Sequence, residues 1–390
     1  MRSRLRLVVL GMMGRFPFGG HAWVYLNWLR GLSGLGHEVW YVEDDSVWPY
    51  DPVQNTVSDD CSYALRHVAG CLERIGLGER WAFRLADREG ACWGLTPARL
   101  DELYSGCDAL INLQGGTDLR EPHMRAPLRV YVQSDATTSE LRLAGGDEHT
   151  RRAFADHDVM VTYGENYGAA DCGVPTNGVR YRKTRQPVDL ELWPAAYTPE
   201  ARFFSTIGNY RQAGNDVEYQ GDVYRWSKHH EWEKVIDLPR YTGQRFELAL
   251  GLDDDCDREL LERHGWRLRQ PLPMSLDVFG AYPEFIRESR AEFTVAKDQN
   301  VRLRSGWFSD RDACYLASGK PVVAQDTGFS NVLPTGRGLF AFSGQEEALQ
   351  AIEAVNADYP AQCLAARRLA EDHFEARAVA DRFIRSVGLG

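Results

Sequence analysis

The chain opens with an apolar run, a glycine-rich loop, a helical stretch and a second apolar run, an order that few folds accommodate. Leu5–Leu10 predicts a buried strand, and the loop Gly11–Gly20 separates it from a helix expected over His21–Leu35. Gly36 is a natural helix stop, and Val39–Val42 predicts the second strand. Such a unit is the building block of a parallel sheet, so we expect an α/β fold.

The alternation continues beyond this unit. A helix is expected over Cys61–Ile75, and strands are expected over Ala109–Leu113, Arg129–Val132 and Val159–Thr162. Polar loops follow these strands at Gln114–Gly116, Gln133–Asp135 and Gly164–Asn166. In open α/β sheets, ligands bind at the carboxyl ends of the strands, so these loops are expected to line a cleft.

Residues 171–200 interrupt the pattern with glycines and prolines, which indicates a domain boundary. A second series of predicted strands follows, at Phe203–Ile207, Phe246–Leu250, Glu292–Val295, Pro321–Ala324 and Gly338–Phe342. Residues 344–388 predict helix. Because 390 residues are enough for two domains, the sequence predicts two successive α/β halves.

Composition excludes several classes of protein. The formal net charge of −11 argues against a general nucleic-acid binder, which carries a basic footprint. The 8 cysteines form no Cys-x-x-Cys pair, so we expect reduced thiols and no zinc site. The first apolar run is too short to span a bilayer, and no small-residue cleavage site follows it. We therefore expect a cytoplasmic protein without stable membrane insertion.

Three segments carry a resemblance to known enzymes: Gly19-Gly20-His21 with Gly36-His37-Glu38-Val39, then Gln186–Pro194, then Tyr315–Ala324. In this order they resemble the glycosyltransferases of the GT-B fold, in the group that includes glycosyltransferase family 4. The resemblance implies two Rossmann-like domains that face each other across a cleft. It places an acceptor-binding domain at residues 1–185, a nucleotide-sugar-binding domain at 186–370, and a C-terminal helix at 371–390 that returns to the first domain.

One family motif is absent. Family 4 enzymes usually carry Glu-x7-Glu before the strand that here ends at Ala324, and the two positions fall on Gly306 and Cys314. Asp310 and Asp312 lie between them, and either is a candidate for a ribose or sugar hydroxyl contact. The stereochemical outcome, inverting or retaining, therefore stays open.

The resemblance implies a donor diphosphate held without a metal ion, by fixed N–H groups and positive charge. Basic candidates follow predicted strand ends, and Ser309 is expected to cap a helix over Asp310–Ala317 that points at the nucleotide. A simple capping box explains Ser309 and Asp312 equally, and a simple turn explains the loop at 326–328. The donor-binding candidates are Gly19, Gly20, Arg211, Lys228, Lys297, Ser309, Asp310, Arg311, Asp312, Asp326, Thr327 and Gly328.

His21 closes a glycine loop and opens a helix, and in this position it resembles the base of inverting GT-B enzymes. The resemblance makes it the candidate for the reaction centre. An imidazole suits removal of a proton from an acceptor hydroxyl near neutral pH. In an inverting enzyme His21 would be this base, oriented by Asp135 or Asp44; in a retaining enzyme it would contact the donor sugar or the acceptor. Glu165 and Asn166 are the acceptor-binding candidates.

The sequence therefore predicts a metal-independent glycosyltransferase with no cofactor. The expected donor is a UDP-sugar or dTDP-sugar, and the expected acceptor is a small molecule, natural product or saccharide. A GT-B sugar-nucleotide epimerase and a non-catalytic sugar-nucleotide-binding protein are the alternatives. A nucleic-acid-modifying glycosyltransferase is a further alternative, against which the net charge counts. A homodimer is compatible with this interpretation.

Overall fold

Two parallel sheets organise the chain in the computed structural model, which describes residues 4–88 and 90–390. They are formed by residues 6–183 and 203–342, so they follow one another along the chain. This confirms the predicted α/β class.

The first sheet runs almost entirely parallel. Its strands, in spatial order, are Tyr181–Lys183, Val159–Thr162, Arg129–Gln133, Ala109–Leu113, Arg6–Leu10, Glu38–Asp45, Trp81–Leu85 and Cys92–Trp93, the last pairing antiparallel. Arg6–Leu10 lies between two parallel neighbours, and its residues Leu7–Leu10 are buried. Burial on both faces explains why this strand reads as a continuous apolar run.

The second sheet is parallel throughout. Its strands, in spatial order, are Arg267–Leu268, Arg245–Gly251, Phe203–Asn209, Ala291–Thr294, Val322–Gln325 and Leu339–Phe342. Short antiparallel hairpins lie outside both sheets, at Tyr50–Asp51 with Thr56–Val57 and at Val217–Tyr219 with Asp222–Tyr224. The second hairpin follows the strand Phe203–Asn209 and lies between Arg211 and Lys228 in the sequence.

Helices cover the faces of both sheets. In the first half they are Gly19–Gly34, Ser62–Arg74, Pro97–Gly106, Thr138–Ala144 and Glu148–Ala155. In the second half they are His229–Lys234, Asp255–Arg263, Leu272–Leu276, Ala281–Glu288, Asp298–Leu303, Asp310–Ala317, Gln345–Ala357, Tyr359–Leu369 and Ala376–Ser386. The predicted helical stretch 344–388 is thus three helices, the first two separated at Asp358 and the last begun after Glu375, with a π-helical turn at Ala370–Phe374.

The first helix, Gly19–Gly34, is buried on nearly all sides, from Ala22 through Leu29. A helix that is apolar all round is a buried one, and this helix contacts both halves of the molecule. The Trp23 indole N–H donates to the carbonyl of Val278 at 2.9 Å, and the Trp28 ring packs edge-on against Phe383 of the last helix. The start of this helix is therefore held at the junction between the two sheets.

Candidate functional site

A cavity of about 220 Å³ lies at the carboxyl edge of the second sheet. Three neighbouring strands end there, which is where α/β sheets bind ligands. The residues on its wall that bear on function are Gly208, Lys228, Thr294, Lys297, Ser309 and Arg311. Four of them, Lys228, Lys297, Ser309 and Arg311, belong to the predicted donor-binding set.

Two lysine ammonium groups line this cavity, each beside a tryptophan ring. Lys228 Nζ lies 5.7 Å from the centre of the Trp307 ring, and Lys297 Nζ lies 2.9 Å from the centre of the Trp226 ring. Burial lowers the pKa of Lys228 to about 7, and the positive charge of Arg311 acts in the same direction. Within the described residues no carboxylate forms an ion pair with Lys228. The half-buried Lys228 ammonium, with no carboxylate partner among the described residues, is suited to receive an anion.

The helix Asp310–Ala317 starts at this cavity as predicted, with Ser309 as its N-cap. The Ser309 hydroxyl accepts a hydrogen bond from the Arg311 N–H at 3.2 Å. Asp312 does not close a capping box, because its carboxylate accepts instead from the Arg311 guanidinium at 3.2 Å. The cap leaves the first N–H groups of the helix directed at the cavity, which favours negative charge there.

The Arg311 guanidinium is hydrogen-bonded to neighbouring groups of the protein. Its guanidinium donates to Glu292, to the Ile207 carbonyl at 2.9 Å and to the Thr294 hydroxyl at 2.8 Å. Burial raises the pKa of Glu292 to about 8. Arg311 thus ties two strand ends together at the cavity wall, and Lys228 is the cation left available.

The half-buried carboxyl group of Asp310 lies at the start of the same helix. Burial raises the pKa of Asp310 to about 7, and the negative charges of Asp312 and Asp135 add to the effect. A carboxyl group that is partly protonated near neutral pH can both donate to and accept from a sugar hydroxyl.

The first helix brings its start to the same region from the other half. A Cβ on Gly19 would lie 2.8 Å from the Tyr282 ring, so only glycine permits this approach, and Gly20 follows it. Burial lowers the pKa of His21 to about 4; the negative charge of Asp135 opposes the shift and the positive charge of Lys297 adds to it. His21 is therefore neutral at pH 7 and able to accept a proton.

Asp135, which follows the strand Arg129–Gln133, is the carboxylate that acts on His21. Its Oδ2 accepts a hydrogen bond from the Lys297 ammonium, so an ion pair joins the two halves beside the cavity. Asp44, the other predicted orienting group, lies elsewhere. Its oxygens accept from a buried set of donors made by Arg84, Tyr104, Arg120 and His123.

The structure does not bring Arg211 into this group. Its guanidinium pairs with Asp257 at 2.5 and 2.8 Å, and 46 % of the side chain is exposed. The hairpin Val217–Tyr224 follows Arg211 and returns the chain to the cavity at Lys228, with Trp226 against the Lys297 ammonium. Of Arg211 and Lys228, only Lys228 therefore lines the cavity.

The loop at residues 326–328 is a turn that hydrogen bonds to the Asp326 carboxylate hold in place. The Asp326 carboxylate accepts from the N–H of Gly328 at 2.9 Å and the hydroxyl of Ser330 at 2.9 Å. Gly328 has a φ of 90° and packs against the chain at Arg304. Thr327 is buried beside the cavity and donates to the Trp307 carbonyl. Only Thr327 of the three lies against the candidate site.

The two acceptor candidates are occupied by other contacts. Glu165 pairs with Arg185 at 2.7 Å, on the wall of a separate cavity. The Asn166 side chain donates to Asp171 at 3.1 Å and to the Arg304 carbonyl at 2.8 Å. Asn166 therefore joins the two halves, because the carboxyl edge of the first sheet is also the surface that meets the second half.

Trp226 and Trp307 contribute to the site without having been predicted. Trp307 lies directly before the capped helix, in Gly306-Trp307-Phe308-Ser309, and this position could have indicated it. Trp226 carries no such signal, because it is placed by the hairpin that precedes it.

Residues 4–88 and 90–390 contain no helix long and apolar enough to cross a membrane. They also contain no cluster of three or more His, Cys, Asp or Glu side chains that could hold a metal ion.

Comparison with solved structures shows the same fold in known enzymes. AviGT4, a glycosyltransferase involved in avilamycin A biosynthesis, is 15 % identical, with a TM-score of 0.56 over 98 % of this chain and 97 % of that one. HepE of Anabaena, solved in complex with UDP-glucose, is 13 % identical, with a TM-score of 0.58 over 98 % and 99 %. An alpha-glucosyltransferase solved with UDP and a 13-mer DNA is 10 % identical, with a TM-score of 0.57 over 99 % of this chain and 98 % of that one.

At these identities the likeness shows the fold, which is GT-B: two Rossmann-like domains that face each other across a cleft. No protein-family model and no curated protein matches the sequence.

Proposed function

We propose that this protein is a metal-independent glycosyltransferase that moves a sugar from a nucleotide-sugar donor to an acceptor hydroxyl or amine. In this proposal residues 1–185 bind the acceptor, residues 186–370 bind the donor, and the segment 371–390 belongs with the first domain. The GT-B fold and the glycosyltransferases that share it, one of them solved with UDP-glucose, support the reaction class. Fold alone does not fix function, so the proposal depends on the site.

One observation carries the proposal. The half-buried ammonium of Lys228 lines the cavity and has no carboxylate partner among the described residues. The neutral imidazole of His21, in the opposite half, interacts electrostatically with Lys297 on the wall of the same cavity. A positive charge withdrawn from water is costly unless an anion pairs with it, and a donor diphosphate is an anion of suitable size. This arrangement supports a cation for the leaving group and a base for the acceptor near one junction.

The chemistry would be mainly electrostatic. Lys228 and the N-terminus of the helix Asp310–Ala317 would stabilise the negative charge that develops on the departing diphosphate. His21 would accept the proton of the attacking hydroxyl, and Asp310 would hold a sugar hydroxyl. None of these steps requires a metal ion.

The acceptor is proposed to be a small molecule, natural product or saccharide. One structural neighbour was solved with DNA, but a net charge of −11 does not suit binding to a polyanion. No contact in the site favours an epimerase over a transferase. Product analysis with donor alone separates the two, because an epimerase converts the donor without an acceptor. The 8 cysteines are all unpaired in the structure, which supports our placement of the reaction in the cytoplasm.

A thermal-shift screen tests the proposal. UDP, dTDP, GDP, ADP and their sugars would be added with and without EDTA, because a ligand that binds only the folded state raises its apparent stability. We expect one nucleotide to raise the Tm equally with and without EDTA, and Lys228→Met to remove most of the rise. Arg211→Met is the matched control, because this cation lies outside the cavity. No rise with any nucleotide at millimolar concentration would contradict the proposal.

A further inference from the structure

Two buried polar atoms at the junction of the halves have no hydrogen-bond partner among the described residues. His21 Nδ1 and Asp135 Oδ1 are both buried, and neither has a hydrogen-bond partner within the described part of the chain. The charge of Asp135 nevertheless acts on the imidazole. Unpaired buried polar atoms are rare and costly, so a potential donor and a potential acceptor that are both unpaired and whose groups interact electrostatically are candidates for a contact with each other.

Lys297, and not His21, is the partner of Asp135 in the structure. It donates to Asp135 Oδ2, and its other hydrogens meet the face of the Trp226 ring, 2.9 Å from the ring centre. Lys297 also lines the donor cavity. Its charge therefore lies between the Asp135 carboxylate and the space that a diphosphate would occupy.

The loop that carries Asp135 is fixed to the second half independently of this ion pair. Thr137 and Thr138 donate to the Gln299 side chain at 3.1 and 2.7 Å. The Trp307 indole N–H donates to the Ser134 carbonyl at 2.8 Å. If Lys297 turned away, Asp135 would thus remain at the junction, and only its carboxylate would need to reorient.

We propose that Lys297 is a positioning residue that couples donor loading to His21. Lys297 holds Asp135 in the structure; a diphosphate in the cavity would take the ammonium, and Asp135 would then accept a hydrogen bond from His21 Nδ1–H. This inference rests on the proposed function, because it takes the donor diphosphate as the competing anion.

The exchange has a chemical consequence. A carboxylate on Nδ1 fixes the imidazole tautomer, so Nε2 is left without a proton, and stabilises the imidazolium that forms. As the acceptor oxygen bonds to the anomeric carbon, Nε2 takes its proton. The bond from that carbon to the phosphate oxygen breaks, and its electron pair leaves with the diphosphate. His21 thus becomes a stronger base only after the donor has bound.

Few charged groups act on His21, Asp135 and Lys297 within the described part of the chain. Asp135 and Lys297 are the ones that act on His21, while Asp310 acts on Asp135 from the capped helix. Lys228 lines the same cavity as Lys297 but makes no ion pair with Asp135. Lys228 is therefore a matched control for Lys297: it lines the same cavity but does not pair with Asp135.

The experiment is an NMR titration of the His21 ring, assigned by comparison with His21→Gln, in the presence and absence of UDP. In the wild type we expect UDP to raise the His21 pKa by about one pH unit or more, because the opposing charge of Lys297 is taken up by the diphosphate and Asp135 hydrogen-bonds to the imidazole. In Lys297→Met the pKa should be raised already without UDP, and UDP should add little. In Lys297→Arg it should stay low until UDP is added.

Two controls separate this exchange from a general loss of structure or of binding. Lys228→Met should need more UDP but should start from the wild-type His21 pKa. In Asp135→Asn, UDP should leave the His21 pKa unchanged.

Two results would overturn the inference. One is an unchanged His21 pKa in wild type that thermal shift shows to be saturated with UDP. The other is a ligand-free Lys297→Met protein, folded by its amide spectrum, whose His21 pKa equals that of the wild type. The second result does not depend on UDP binding. Failure of every nucleotide to bind would instead contradict the proposed function, and the two failures are therefore distinguishable.

Discussion

Gly31 of the first helix and Ala376 of the last helix are in backbone contact: a Cβ on Gly31 would lie 2.5 Å from the Ala376 carbonyl oxygen. The last helix thus crosses back onto the first helix, whose opposite end carries His21. The close approach allows the Trp28 and Phe383 rings to pack 4.9 Å apart. A residue with no side chain is what makes this packing possible.

We expect Gly31→Ala to destabilise the protein by about 1–3 kcal/mol, because the clash is with backbone that cannot rotate away. Gly70→Ala is the matched control: this glycine lies in the helix Ser62–Arg74, where a Cβ would meet no atom within 4 Å. It should stabilise by about 0.4–1 kcal/mol. Urea unfolding measures both changes. Equal effects of the two substitutions would contradict the importance of the helix contact.

Lys228→Met should weaken UDP-glucose binding at pH 6.5 by about tenfold or more, the range for loss of a charge-assisted contact. Arg211→Met should change it by less than about threefold, since a half-exposed ion pair with Asp257 contributes little. Isothermal titration calorimetry gives both affinities. If Arg211→Met were the more damaging change, the assignment of the cavity cation would be wrong.

The affinity for UDP-glucose should also fall as the pH rises through about 7. Burial lowers the Lys228 pKa to about 7, so the ammonium is charged below that pH and largely neutral above it. A bound diphosphate favours the charged form, and linkage then requires tighter binding at lower pH. UDP-glucose is the appropriate probe because the charge of its diphosphate diester is constant over this range. Lys228→Arg should abolish the slope, and a slope that persists in that variant would assign it to another group.

Arg311→Met should cost about 3–5 kcal/mol of stability, because it leaves Glu292 buried without its partner. Burial already raises the Glu292 pKa to about 8, and the variant would have to keep this carboxyl protonated to fold. Its deficit should therefore be larger at pH 9 than at pH 6, because above about pH 8 the wild-type carboxyl ionises beside Arg311, while the variant must keep a proton that the unfolded state has already released. Urea unfolding at the two pH values measures this. A deficit independent of pH would show that Glu292 is not the group left unpaired.

His21→Gln should lower kcat by about 10²–10⁴-fold, the range for loss of a general base. The affinity for UDP-glucose should stay within a few-fold of wild type, because Lys228 and the capped helix remain. Steady-state kinetics with the acceptor, combined with calorimetry for the donor, separates the two effects. A variant that loses donor binding but keeps kcat would place His21 in donor recognition instead.

Much of the fold could be predicted because its signals are local. Buried parallel strands such as Ala109–Leu113 and Val159–Thr162 are continuous apolar runs with polar residues at their ends, and the structure has them with these bounds. Ser309 could be predicted as a cap because capping depends only on the next few residues. Short strands such as Trp81–Leu85 were missed, since their apolar residues are interspersed with arginine.

The candidate site was harder to predict because its contacts join residues far apart in sequence. Nothing local distinguishes Arg211 from Lys228 as the cavity cation; the difference is Asp257, which binds Arg211. Likewise Glu165 and Asn166 follow a strand end, as ligand-binding residues do, but partners from distant segments occupy them. The pairing of Asp135 with Lys297 depends on how the two halves meet.

The chain crosses between the halves twice, and the crossings are hydrogen-bonded to each other. The N–H of Val188 donates to the Phe374 carbonyl at 2.7 Å, and the N–H of Ala376 donates to the Val188 carbonyl at 3.0 Å. Two crossings tied to each other fasten the halves together on one side, so any rotation of the halves apart would open the opposite side. A substrate would therefore enter from the side remote from Val188, and each closure would return His21 to the same register against the cavity.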